Sequence, residues 1–223
     1  MRSLKEQGLK WFDLHFGWQI SFEETWNAYC SGCVPVGAAI LDGEDNLIGR
    51  GRNRISGDAP PAFQVGAHRL AHAELNALLS VRDPGVDIHG CSMYTMLEPC
   101  PLCMGAIYMS GIRRLYYAAR DPYAGSTNML GATAYLSRKP IRVYPPGEDE
   151  LERVSIALHT DYIWRKDPQQ APIFLETWRP IVPEGVRLGE YLHGSHFFMR
   201  TNEAGYYASE AYQIIIEENE KLQ

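Results

Sequence analysis

The chain has 223 residues, 45% of them hydrophobic and 22% charged, enough for one sizeable core or for a core domain with an extension. A formal net charge of -6 argues against a protein built mainly to grip nucleic acid, because phosphate contacts need clustered Lys and Arg. The N-terminal "MRSLKEQGLKWFDLHFGWQI" lacks the apolar run of a secretory signal, and no later stretch has the roughly 20 apolar residues of a membrane span, so a cytoplasmic location is expected.

In chain order, "SFEETWNAYCS" at 21–31 reads as a short helix opened by a capping box of Ser21 and Glu24, with Phe22, Trp26 and Tyr29 at helical spacing. "VPVGAAILDGEDNLIGRGRN" predicts a hairpin of strands 35–41 and 47–53 around an Asp/Gly/Asn turn. The Gly- and Pro-rich "RISGDAPPAFQVGAHR" is a loop, and "HRLAHAELNALLSV" predicts a helix over about 71–81, stopped by "DPG". A strand over 91–97, a helix over 101–110 and a strand in "IRRLYYAAR" follow, the alternation of an α/β layer. Residues 125–137 are expected to form a further helix despite Gly131, and "IRVYPPG" a short edge strand halted by its prolines. From 148 the character changes to helical spacing of Leu151, Val154, Leu158 and Tyr162, then a Pro- and Trp-containing stretch, then a final helix in "SEAYQIIIEENEKL". The expected division is a core of 1–147 and a C-terminal extension of 148–223.

The chemistry concentrates in two of these segments. Cys100 and Cys103 sit three apart at a strand-to-helix junction, where two thiolates suit a soft divalent metal such as zinc but supply only half a tetrahedral shell. His72, in "HAE" at the other helix start, offers a third ligand and leaves the fourth position open for water. Glu74, two residues on, is then placed to carry protons rather than to ligate. A closed site of four thiolates, Cys30 and Cys33 with Cys100 and Cys103, is the competing reading, but it leaves His72 and Glu74 without a role.

The ordered combination H-A-E then P-C-x-x-C is the signature of zinc deaminases. With "VPVGAAI", "GRGRN", "HAELNAL" and "YTMLEPCPLCMGAIYMSGIRRLYYAARD", it resembles the cytidine deaminase-like superfamily over roughly residues 22–137, in particular the nucleobase and nucleoside branch that includes guanine deaminase and the tRNA adenosine deaminases. The resemblance implies a three-layer α/β/α core around a mixed sheet, one zinc on His72, Cys100 and Cys103, and Glu74 as proton shuttle. It also implies that Asn53 hydrogen-bonds the substrate, that the backbone at Ala73, Leu97 and Glu98 presents polar groups to it, and that Pro35, Val36 and Gly37 floor the pocket.

The flanking loops add Phe63 and Tyr123 as candidates to cover a ring and Asp121 to accept from an amino group or to cap a helix. Tyr94, Tyr108, Tyr116 and Tyr117 are explained by strand and helix periodicity, while Met96 or Met104 could line the pocket. Arg50, Arg52 and Arg54 alternate along a strand, either toward a phosphate or on a solvated face.

The expected function is hydrolytic deamination of a small aminated heterocycle, a free nucleobase or nucleoside, with release of ammonia. A tRNA adenosine deaminase is the alternative in substrate, and a zinc-containing scaffold the non-enzymatic one. The resemblance and the apolar residues of the extension, among them Trp164, Phe174, Trp178, Phe197 and Phe198, lead to the expectation of a homodimer in which 148–223 is a cap or an interface.

Overall fold

The computed structural model describes residues 10–57, 59–147 and 149–222; residues 1–9 of the expected core and position 148 at its boundary lie outside the described residues. Five strands, β1 (Gly37–Leu41), β2 (Leu47–Arg52), β3 (Ser92–Thr95), β4 (Arg114–Tyr117) and β5 (Arg142–Tyr144), form one sheet in the order β2-β1-β3-β4-β5. β1 runs antiparallel to β2 and β3, while β3, β4 and β5 are parallel, so the sheet is mixed as expected.

Helix α1 (Phe16–Cys30) covers one face of β1, and helices α2 (Ala73–Ser80) and α3 (Pro101–Ser110) cover the other. Both approaches depend on glycine. A Cβ on Gly37 would lie 2.3 Å from the Ser21 carbonyl oxygen in α1, and one on Gly51 would lie 2.3 Å from the Ala77 nitrogen in α2. The α2 and α3 face holds a core of Ala38, Ile40, Met93, Met104, Ile107 and Leu115, all essentially sealed from solvent.

The chain after the sheet is helical throughout: α4 (Asp149–Lys166), α5 (Ala171–Trp178), α6 (Pro183–Gly194), α7 (Phe197–Ala204) and α8 (Ala208–Lys221). Leu151, Val154 and Leu158 of α4, Leu188 and Leu192 of α6, Phe197 of α7 and Tyr212 and Ile215 of α8 share one apolar cluster with Phe22, Trp26 and Tyr29 of α1. A second cluster joins Ile156, Leu175, Trp178, Val182 and Val186 to Ala119, just past β4.

Two expected elements differ. The first helix begins at Phe16 with His15 as its cap, because Ser21 is no cap at all: its Oγ donates back to the Gly17 carbonyl (2.7 Å), and the side chain of Glu24 pairs with Arg50. Residues 125–137 hold only a short 3-10 turn, Thr127–Met129; Gly131 takes φ +83°, outside the helical region, and the residues that pack on the core, Met129 and Leu130, are adjacent rather than at helical spacing. Arg50 and Arg52 face α1 rather than a phosphate, Arg50 on Glu23 and Glu24 and Arg52 on the Asn27 carbonyl. Tyr94, Tyr116 and Tyr144 stack in register across β3, β4 and β5 on the same face.

Burial of one histidine sets a pH dependence. His159 of α4 is 3% exposed; its Nδ1 donates to the Ser155 carbonyl (3.0 Å), and among the described residues its Nε2 has no hydrogen-bond partner. Burial pushes its pKa down to about 4, against about 6.5 in an unfolded chain. Between those values the unfolded state binds more protons, so stability falls as pH falls through that window, by about 3 kcal/mol from pH 7 to pH 4. Denaturant unfolding at both pH values is expected to show that part of the loss disappearing in His159→Gln; an equal loss in the variant would remove His159 as its source.

Candidate active site

His72 occupies the position just before α2 and Cys100 the position just before α3, neither side chain bonding its helix's free N–H groups, and Cys103 lies in the first turn of α3 behind Pro101, which needs no donor at the first helical position. The parallel arrangement of β3 beside β4, and α2 laid over β1 and β2, bring these two helix N-termini together, where their positive ends favour thiolate over thiol. The His72 Nδ1 is 3.5 Å from Cys100 Sγ and 3.4 Å from Cys103 Sγ, and the two sulfurs are 3.7 Å apart. A tetrahedral zinc with Zn–S of about 2.3 Å and Zn–N of about 2.0 Å needs donor separations of about 3.5–3.8 Å, so the triangle fits that ion.

The hydrogen bond between Cys100 and Cys103, with a smaller part from His72, holds the Cys100 thiol down to about 4, while the same contact, together with full burial, raises Cys103. The hydrogen bond to Cys100 raises His72. Among the described residues this is the one cluster of three side chains with metal-ligand geometry; Cys30 and Cys33 are not part of it, and burial pushes the Cys30 thiol up to about 11.

Glu74 is 3% exposed in the first turn of α2, and its Oε2 accepts from Cys103 Sγ at 3.2 Å. Burial raises its proton affinity. Beside it a cavity of about 170 Å³ is lined by Val34, Val36, Asn53, Ile55, His72, Ala73, Glu74, Leu97, Glu98, Cys100, Asp121 and Ala124. That is little more than the ~150 Å³ that admits a benzene-sized ring.

Most predicted site residues therefore meet around one small space, but four do not: of the expected floor only Val36 lines the cavity, Pro35 is absent from its lining and Gly37 is pressed against α1, and Phe63 and Tyr123 lie elsewhere. Phe63, with φ +73°, lies under the Arg82 guanidinium (3.2 Å to the ring centroid), beyond the C-terminal end of α2 and away from His72. Tyr123 is 64% exposed and packs edge-on against Phe174, outside the cavity lining. Met96 and Met104 are core residues.

Val34, Ile55 and Ala124 line the cavity and were not read from the sequence, since small apolar loop residues carry no signal of their own. Asn76 was also missed. One turn after His72 and fully buried, its amide accepts from Val65 N (2.7 Å) and donates to the Arg52 and Val65 carbonyls, fixing the loop that leads back to the site. A polar residue on the apolar side of the predicted helix was the available clue.

A family model for the cytidine and deoxycytidylate deaminase zinc-binding region matches residues 15–119. Cytosine deaminase of Candida albicans is 29% identical over 121 residues, covering 53% of this chain and 75% of that protein. The probable cytosine deaminase of Schizosaccharomyces pombe is 32% identical over 136 residues, again covering 53% of this chain and 75% of that protein. A tRNA-specific adenosine deaminase of Agrobacterium fabrum is 38% identical over 94 residues, 42% of this chain and 57% of that protein.

Proposed function

Because the chain belongs to the zinc-binding cytidine and deoxycytidylate deaminase family, a family of zinc-dependent hydrolytic deaminases, we propose that its own substrate is a small aminated heterocycle, a free nucleobase or nucleoside, bound in the cavity beside Glu74. The observation that carries this is the juxtaposition of the His72, Cys100 and Cys103 triangle with a buried carboxylate and a cavity of one-ring size.

His72 Nδ1 and the sulfurs of Cys100 and Cys103 would hold the zinc. When bound there, zinc supplies an acidified water, its pKa lowered to about 7. Glu74 moves the protons: its Oε2 takes one from the attacking water and delivers it to the ring nitrogen as the C–O bond forms, then takes the second from the hydroxyl now on that carbon and passes it to the amino group, so that the C–N bond breaks, ammonia leaves and the carbonyl forms. Val36, Ala73 and Leu97 exclude bulk water from the ring faces. Asn53, whose Oδ1 accepts the Ile55 N–H (3.1 Å), offers its amide donors to a ring or sugar acceptor. Asp121, closing a turn with Oδ1 on Tyr123 N and Ala124 N, offers its other oxygen to an amino group.

A tRNA substrate is the second reading, favoured by the identity to the adenosine deaminase. The net charge of -6 and the engagement of Arg50 by Glu23 and Glu24 count against it. A homodimer remains part of the proposal, although Leu151, Val154, Trp178 and Phe197 are buried within the chain; its support is the exposed Ile173, Met199 and Tyr207. The cytoplasmic assignment rests on five free thiols.

The test is ammonia release from zinc-loaded protein over a panel of bases, nucleosides and a deaminase-substrate tRNA. Turnover on a free base or nucleoside is the expected result, and turnover on tRNA alone would replace it. Asn53→Ala is expected to lower kcat/KM on the identified substrate about tenfold or more with zinc retained, since the ring or sugar acceptor loses its donor. Wild-type kinetics in that variant would remove Asn53 from the site.

A further inference from the structure

The loop 120–127 carries Asp121 and Ala124 into the cavity, and it is gripped from both sides. On the inner side the grip is Glu98. Its Oε1 accepts from Thr127 Oγ1 (2.5 Å) and Thr127 N (3.3 Å), and its Oε2 accepts from Asp121 N (3.3 Å). The backbone repeats the pattern, with Glu98 N donating to the Ala119 carbonyl (2.8 Å) and Ser126 N to the Pro99 carbonyl (2.9 Å). Gly125 makes room for it: a Cβ there would lie 2.5 Å from the Glu98 carboxylate and 2.4 Å from the Asp121 carbonyl oxygen.

On the outer side the grip is α4 and α5. The Arg120 N and Nε donate to Glu152 Oε1 (3.0 and 2.8 Å) and its Nη2 to Glu152 Oε2 (2.8 Å); Glu152 is 4% exposed. Trp178 Nε1 donates to the Arg120 carbonyl (3.2 Å), and Phe174 meets the Tyr123 ring at 5.0 Å. Arg120 is thus committed to the C-terminal helices while Asp121, the next residue, faces the cavity.

We propose that Glu98 is a positioning residue that clasps loop 120–127 over the substrate cavity, and that α4 and α5 lock the same loop from outside, so that the C-terminal helices set substrate affinity within their own chain. The inference rests on the reading of this cavity as the substrate site. A carboxylate that accepts two backbone N–H groups and a hydroxyl is occupied in holding the loop, which separates its role from that of Glu74. A glutamine at position 98 keeps the shape but turns an NH2 toward donors, which breaks part of the clasp.

Three zinc-loaded variants test it: Glu98→Gln, Gly125→Ala and Trp178→Phe. Each is expected to keep one zinc per chain, to raise KM while kcat stays within about threefold of wild type, and to speed amide exchange in residues 121–127 about tenfold without changing α2 or α3. The KM rise is expected to be about tenfold or more for Glu98→Gln, the loss of charge-assisted bonds, and smaller for Trp178→Phe. A KM change confined to Glu98→Gln would mean that its carboxylate touches substrate directly, and unaltered exchange in 121–127 would mean that it holds no loop; either result overturns the proposal. Should the wild-type protein turn over no heterocycle, the reading of the cavity fails, while the exchange arm still decides the clasp.

Discussion

Glu74→Gln is expected to hold one zinc per chain and to unfold at the wild-type temperature within a few degrees, while kcat falls about 10³-fold. The amide matches the carboxylate in shape, and the site is tight enough to keep it in place: Glu74 is 3% exposed, in the first turn of α2, beside Cys103 Sγ at 3.2 Å. The amide has no basic oxygen that can take a proton and return it. Ring protonation and amino-group departure both lose their carrier, and the loss should fall on kcat rather than KM because the proton moves only in the transition state. Zinc by elemental analysis, circular dichroism and ammonia release on one preparation read all three quantities. Turnover near wild type with zinc in place would assign proton transfer to another group.

Cys103→Ala should fail differently, by losing the metal and with it stability. Cys103 is fully buried in α3 and supplies two of the three edges of the donor triangle, at 3.4 Å to His72 and 3.7 Å to Cys100. Without it two donors remain, and affinity for zinc should fall by more than about 100-fold, since even outer groups that only orient ligands contribute 10–100-fold. Because the bound metal ties α2 to α3, its loss appears as a lower Tm that added zinc does not restore. The matched control is Cys33→Ala, equally buried but outside the triangle, which should keep its zinc. Wild-type zinc stoichiometry in Cys103→Ala would require a ligand set without Cys103, and loss of zinc in Cys33→Ala would revive the four-thiolate site.

Where local chemistry decides structure, the reading from sequence held. The helix at 101–110 was legible because Pro101 marks a first helical position, and the hairpin because an Asp/Gly/Asn turn separates two apolar runs. Ser21 and Glu24 formed a valid capping signal that tertiary contacts overrode: His15 and the packing of Trp18 and Gly17 on Tyr94 extend the helix N-terminally. Helices α5, α6 and α7 escaped notice because the Pro- and Gly-marked stretch from 167 to 205 looks like loop, and only their burial against α4 and α1 pays for ordering it.

The candidate ligands, the candidate proton carrier and the class of reaction were legible in the sequence itself, since i, i+3 thiols and an H-x-E at a helix start are properties of a single turn of backbone. What only the tertiary structure decided is which distant residues share the cavity. His72 and Cys100 are 28 positions apart and meet because the β1–β3 register brings two helix ends together; Asp121 enters the cavity and Phe63 leaves it for the same kind of reason. The grip of α4 and α5 on loop 120–127 is likewise a matter of packing direction, which no residue spacing encodes, because it depends on how separate elements dock rather than on how any one of them turns.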